Sequence, residues 1–248
     1  NYETHGKQIV FTFEDTEKVC LEAMQRPSLP WEKQQEMIAK IKHRLGDERF
    51  NRATVAELMV GTPKQSIETF KENFRKILGE GIGGTILNHW ALLPNSPAAD
   101  PEYITKHGIK FIEHKTFSGK DDERPTTPFS LEELYNDAKH NPHFLSSNFV
   151  YETNDMDYID IMTVLMVGFV LQEPLIKEKI LAKSKTNIDR VIEWAFNRCA
   201  KNAKEVYAQH KDCIEKFGYI VPITDDPEGI RNSWTTGSLL KFPELVDA

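Results

Sequence analysis

From Ile161 to Leu171 the chain reads IMTVLMVGFVL, eleven residues without a charge. Such a run must be buried, because each CH2 taken from water contributes about 0.8 kcal/mol. It is too short to span a bilayer, which takes about 20 residues. It is therefore expected to form a core helix, and Pro174 ends that segment. Three aspartates stand at its entrance: Asp155, Asp157 and Asp160. With Asn154 as N-cap, Asp155 and Asp157 fall in the first turn, where the helix dipole favours negative charge. Asp157 and Asp160 share a face and Asp155 does not. A magnesium ion could use such a pair with waters and a phosphate-bearing substrate. Nothing else in the sequence supplies that substrate site, so capping is the expected role.

The rest of the chain follows from periodicity and turn chemistry. KQIVFTF places Ile9, Phe11 and Phe13 in strand-like alternation and predicts an extended N-terminal arm, followed by a short helix to Met24. Pro30 opens a helix with Trp31, Ile38, Ile41 and Leu45 on one side and Gly46 after its end. A further helix starts at Thr62-Pro63, with Ile67, Phe70, Phe74, Ile77 and Leu78 as its stripe and Gly79 at its close. Residues 79–101 are rich in Gly and Pro and predict a loop or hinge. Residues 109–117, IKFIEHKTF, suit a strand, and Ser130 with Glu133 forms a capping box before a short helix. From Asn187 to Gly218 the apolar residues Ile188, Val191, Ile192, Ala195, Cys199, Val206, Ile214 and Phe217 make one long helical stripe. The last thirty or so residues are rich in turn formers.

The expected architecture is mainly α: a helical body with a minor β component and extended N- and C-terminal arms. It divides into an N-terminal arm and short helix (1–26), an N-terminal helical lobe with a Gly/Pro-rich hinge (27–101), a C-terminal helical lobe (102–217) and a C-terminal arm (218–248).

Catalytic patterns are sparse. GEGIGG at 79–84 satisfies G-x-G-x-x-G in form, but a helix precedes it where the dinucleotide motif needs a strand. His140 and His143 flank Asn141-Pro142, and the proline prevents a regular face that would aim both rings at a zinc; His114 is isolated. There is no H-E-x-x-H, G-x-S-x-G or G-x-x-x-x-G-K-[ST]. The three cysteines, Cys20, Cys199 and Cys213, form no C-x-x-C pair, and an odd count predicts no disulfide framework. A reducing, cytoplasmic setting is the expectation, with no membrane partner, no cofactor, no metal and no enzymatic activity.

Charge is more informative. The chain carries a net −7, yet Lys183 to Lys211 holds seven bases (Lys183, Lys185, Arg190, Arg198, Lys201, Lys204, Lys211) against three acids (Asp189, Glu193, Glu205). Arg190, Trp194, Asn197, Lys201, Lys204 and Lys211 recur at helical steps, away from the apolar stripe. A basic face carrying an aromatic can follow a phosphate backbone and stack a base. Lys64, Lys71 and Arg75 form a second, weaker row, interrupted by Glu68 and Glu72. The expected function is a non-enzymatic, self-assembling protein that binds nucleic acid, single-stranded RNA among the candidates, and meets its own copies through the terminal arms. In the order of its elements this plan resembles helical viral nucleoproteins or filament coat proteins, a resemblance that carries no shared motif. Two alternatives stand beside it: an all-helical metal- or phosphate-dependent enzyme built on Asp157 and Asp160 with His140 or His143, and a protein–protein interaction module.

Overall fold

The computed structural model describes residues 8–26, 29–92, 97–117, 144–172 and 185–217. Their architecture is mixed α/β and corrects the mainly helical expectation. Strand β1 (Ile9–Glu14) is followed by helices α1 (Lys18–Ala23), α2 (Trp31–Leu45) and α3 (Asp47–Ala53). Then come β2 (Thr54–Val60), α4 (Ile67–Gly79), β3 (Thr85–His89) and β4 (Ala91–Leu92). A 3-10 turn (Pro97–Ala99), α5 (Pro101–His107), β5 (Lys110–Phe117) and β6 (Phe144–Glu152) follow, and α6 (Tyr158–Val170) and α7 (Lys185–Phe217) complete the order.

The N-terminal strand is not a free arm. It pairs in parallel with β2, Ile9 opposite Thr54 through Thr12 opposite Glu57, and β2 pairs in parallel with β3, Ala56 opposite Thr85 through Val60 opposite His89. The stretch 79–101, expected as a hinge, contains β3 and β4. These strands escaped the periodicity reading for a physical reason. β2, TVAELMV, is buried or half-buried along its whole length, and its other face, Val55, Glu57 and Met59, carries a single charge, so the polar alternation is weak. The C-terminal arm (218–248), the capping box at Ser130 and the histidines at 140 and 143 lie outside the described residues.

A second sheet has the order β4-β6-β5, all antiparallel. Trp90 joins the two sheets: its N–H donates to the Val60 carbonyl at 2.8 Å, and its carbonyl accepts from the Val150 N–H at 3.1 Å. In the first sheet the strands lie in chain order, β1-β2-β3. Two successive right-handed crossovers in the same direction put both sets of connecting helices on one face. The packing agrees. Phe11 meets Phe50 of α3 and Phe13 meets Trp31 of α2, with ring centroids 6.3 and 5.7 Å apart. On the same face Leu87 touches α6, where a Cβ at Gly168 would lie 2.3 Å from the Leu87 Cδ1. The other face carries Val10, Thr12, Glu57, Ile86 and Asn88. There Thr12 Oγ1 and Asn88 Nδ2 both donate to the Glu57 carboxylate, at 2.9 and 2.6 Å.

Helix α7 forms the outer layer, packed on α4 and α6, with Phe74 of α4 edge-on to Phe196 at 6.0 Å. The core it closes includes Phe70, Phe74, Ile77, Ile161, Met162, Ile192 and Cys199, all fully buried. The N-cap of α6 is Asp157, three residues later than expected. Its side chain accepts from the Asp160 N–H at 2.8 Å while the Asp160 carboxylate reaches back to the Asp157 N–H. Likewise α4 is capped by Ser66 with Thr69, so Thr62–Gln65 is loop and not the first turn.

Candidate functional site

Helix α7 sorts its charges by side. Ile188, Val191, Ile192, Ala195, Phe196, Cys199 and Ala203 are buried at steps of three and four. Asp189 and Glu193, one turn apart, sit on the flank that meets α4, where Lys71 and Arg75 are also one turn apart. Lys71 Nζ lies 2.8 Å from Glu193 Oε2 and 3.0 Å from Glu68 Oε1. Arg75 Nε lies 2.8 Å from Asp189 Oδ1, and its other nitrogens reach Glu193 at 3.2 Å and Glu72 at 3.5 Å. Partial burial lowers the Lys71 ammonium, but Glu193 and Glu68 outweigh it and hold the group above its ordinary range. Arg75 behaves the same way, burial being outweighed by Asp189 and Glu72. Lys64 is held elsewhere: both its Nζ and its backbone N–H contact the Asp155 carboxylate, at 3.3 and 3.1 Å. The row Lys64, Lys71, Arg75 is thus neutralised inside the fold.

The solvent-facing side of α7 adjoins that flank. Arg190, Asn197, Lys201, Lys204 and Lys211 are exposed on it. Glu205 flanks them, and Lys204 lies close enough to α6 to pull the Asp160 carboxyl downward, against the larger upward push of burial and Asp157. Trp194 is half-buried against the core, and Arg198 is half-buried; both make contacts within the chain, as does Lys211. Lys185 begins α7, and Lys183 lies outside the described residues. The structure brings Arg190, Lys201 and Lys204 onto one outward face, with Trp194 half-buried at its edge, and sets the α4 row apart from it.

The aspartates of the α6 entrance are all engaged within the chain, Asp155 by Lys64 and Asp157 and Asp160 by the helix cap. Among the described residues no three His, Cys, Asp or Glu side chains gather as metal ligands would, and no helix is long and apolar enough to cross a membrane. Cys20 and Cys199 are buried. Burial pushes both thiols up, Cys199 to about 12, so neither is a ready thiolate.

A polar cluster that the sequence reading missed lies at the carboxyl ends of β1 and β2, where open parallel sheets place their ligands. Asp15, Gln65 and Asn73 are fully buried and Thr16 nearly so. Gln65 Nε2 donates to Asp15 Oδ2 at 2.8 Å, the Glu17 N–H donates to Asp15 Oδ1 at 2.7 Å, and Thr16 donates to Asn73 Oδ1 through its N–H at 3.1 Å and through its hydroxyl. Burial pushes the Asp15 carboxyl up, and these hydrogen bonds only partly offset it. The signal was present in the sequence as the polar EDTE that ends the β1 alternation. Closed on all sides, the cluster ties β1 to α4 and is a structural clasp.

The described part is thus a mixed α/β protein whose outermost helix shows a basic face. No protein-family model matches the chain, and no curated protein matches it in sequence.

Proposed function

We propose that this is a non-enzymatic nucleic-acid-binding protein and that the outward face of α7 meets the phosphate backbone. The observation that carries the reading is the partition of charge on α7. Two of the three acids between Lys183 and Lys211 are ion-paired with Lys71 and Arg75 of α4, and Arg190, Lys201 and Lys204 are exposed. An even mixture of signs would leave no net field on that side. The partition leaves a positive one on a chain of net charge −7. Such binding is salt-sensitive, since each phosphate contact releases counterions. Self-association belongs to the same proposal, without the N-terminal strand as its vehicle.

The test is a purified sample read by its 260/280 nm absorbance and a sizing column, then titrated with labelled oligonucleotide. Wild-type protein is expected to bind and to elute larger than a monomer. Lys201→Glu with Lys204→Glu is expected to weaken binding by about tenfold or more, a loss of about 1.4 kcal/mol. Unchanged affinity in a double variant with an intact circular-dichroism spectrum rejects the face.

A further inference from the structure

We infer that the free edge of β1 takes an extended peptide from a partner protein, apolar at alternate positions and carrying a carboxylate at the end beside Glu14. Among the described residues β1 pairs on one side only, with β2. Along its other edge runs a cleft of about 480 Å3. Five consecutive residues, Val10–Glu14, line it, so it follows the strand itself and not one face of the sheet. The facing wall is α2 and the chain before it, through Met37 and Leu29. Strand edges are ordinarily blunted by lysine, proline or a cover, because their unpaired N–H and C=O groups recruit another strand. β1, IVFTFE, has neither lysine nor proline, and its one charge stands at its end.

The walls set the side chains of the occupant. Val10, Leu29 and Met37 are 47, 56 and 53% exposed, three of the seven large hydrophobic side chains that the described residues leave open, and all three line this cleft. A strand laid beside β1 alternates its side chains between the two faces of the sheet. One set falls beside Val10 and Thr12. The other falls on the side of Phe13, toward Met37 and Leu29, and is therefore apolar. Charge sets one end. Arg26 Nε lies 3.3 Å from Glu14 Oε2, and that carboxylate is the guanidinium's one partner among the described residues. Its two terminal nitrogens remain to hold a carboxylate as a fork. The edge supplies the rest through backbone hydrogen bonds, which require an extended chain and not a particular sequence. At about 3.3 Å per residue it accommodates a peptide of about five residues. A second copy is the poorer occupant, since two β1 edges brought together would set one α2 against the other.

The experiment pans a display library of random eight-residue peptides on the full chain and measures the enriched peptide, labelled, by fluorescence anisotropy. The result expected is a set with apolar residues at alternate positions and an acidic group at one end. Met37→Glu and Arg26→Ala, both on exposed side chains, each weaken binding by about tenfold or more with an unchanged circular-dichroism spectrum. N-methylation of one alternate set of the peptide's amides does the same, and of the other set does not, because only every second N–H faces β1. Failure to enrich any peptide overturns the inference, as does a peptide indifferent to Met37→Glu or to both N-methylated sets. Displacement of the peptide by dodecanoate, with N-methylation tolerated throughout, gives the cleft to an apolar small molecule instead. A chain that elutes as a dimer and that Met37→Glu turns into a monomer, with no peptide enriched, gives the edge to a second copy.

Discussion

Gln65 holds Asp15 from one end of its amide and the β2–α4 loop from the other. Its Nε2 donates to Asp15 Oδ2 and to the Met59 carbonyl, each at 2.8 Å. Its Oε1 accepts from the Gly61 and Thr62 N–H groups, each at 2.9 Å. Both ends are committed, so the amide has one orientation, and no carboxylate can replace it. Gln65→Glu would lose the donor and set a second acid against a buried one. We expect a loss of about 3 kcal/mol, seen as a lower urea midpoint with an unchanged m-value. A wild-type midpoint in that variant would show that the clasp is not what fixes the loop.

The place of β1 changes what an N-terminal deletion does. An exchangeable arm could be removed at the cost of assembly size alone. As the edge strand beside β2, with Phe11 and Phe13 set against Phe50 and Trp31, residues 9–14 are part of the fold. Their removal is expected to abolish cooperative thermal unfolding. Phe11→Ala, on a half-buried ring, is expected to cost about 2 kcal/mol, below the range for a fully buried phenylalanine. A truncated chain that melts sharply at the wild-type temperature would contradict this placement.

How much of this was legible in the sequence depended on whether an element kept two chemically different sides. Helices α2, α4 and α7 did, and their stripes through Ile38, Phe74 and Ile192 gave their extents to within a few residues. α6 was legible from its lack of charge. β2 marked its outer side with one charge only, Glu57, and passed unread, and without it β1 could only look like an arm. The α6 cap was misplaced because Asn154, a good cap by type, spends its side chain on the Lys106 carbonyl, at 3.3 Å. At the candidate face the basic residues of α7 were visible as a pattern. That Asp189 and Glu193 are ion-paired was not, because it depends on where Lys71 and Arg75 of another helix come to rest.

Two histidines give stability a pH dependence. Burial lowers the His89 pKa, partly offset by its hydrogen bond to the Val150 carbonyl. Burial, then Lys106 and Lys64, lower that of His107, with Asp155 opposing. Both rings are therefore neutral in the fold at pH values where the unfolded chain, with an ordinary value of 6.5, takes up protons. The unfolded state binds more protons, so stability rises with pH. Their contribution is complete above about pH 6.5 and is lost as pH falls through the lowered folded values. Asp15 acts in the opposite sense, since its raised pKa favours the protonated fold and its contribution fades as pH rises. The histidine part is isolated by difference. The stability gained between pH 5 and 7.5 should be smaller in His107→Gln than in wild type, measured by urea denaturation at each pH. Equal gains would show that His107 titrates alike in both states.

The glycines of GEGIGG are expected to respond to alanine in a graded series that a phosphate cradle would not produce. The segment is the exit of α4 into β3. Gly79 is the last residue of the helix, and a Cβ there would meet nothing within 4 Å. Gly79→Ala should stabilise by about 0.5 kcal/mol, by removing backbone freedom from the unfolded chain. Gly81 has φ of +80°, a conformation that costs an L-residue about 1–2 kcal/mol, so Gly81→Ala should destabilise by about that amount. Gly83 lies against α3, where a Cβ would fall 1.6 Å from the Asn51 carbonyl oxygen and 3.3 Å from that of Thr54. Backbone cannot move aside as a side-chain tip can, so Gly83→Ala should cost about 3 kcal/mol or more. Thermal melts of the three variants give the order Gly79→Ala above wild type, then Gly81→Ala, then Gly83→Ala. A phosphate-holding loop would instead leave melting nearly level and show the three substitutions as lost nucleotide affinity.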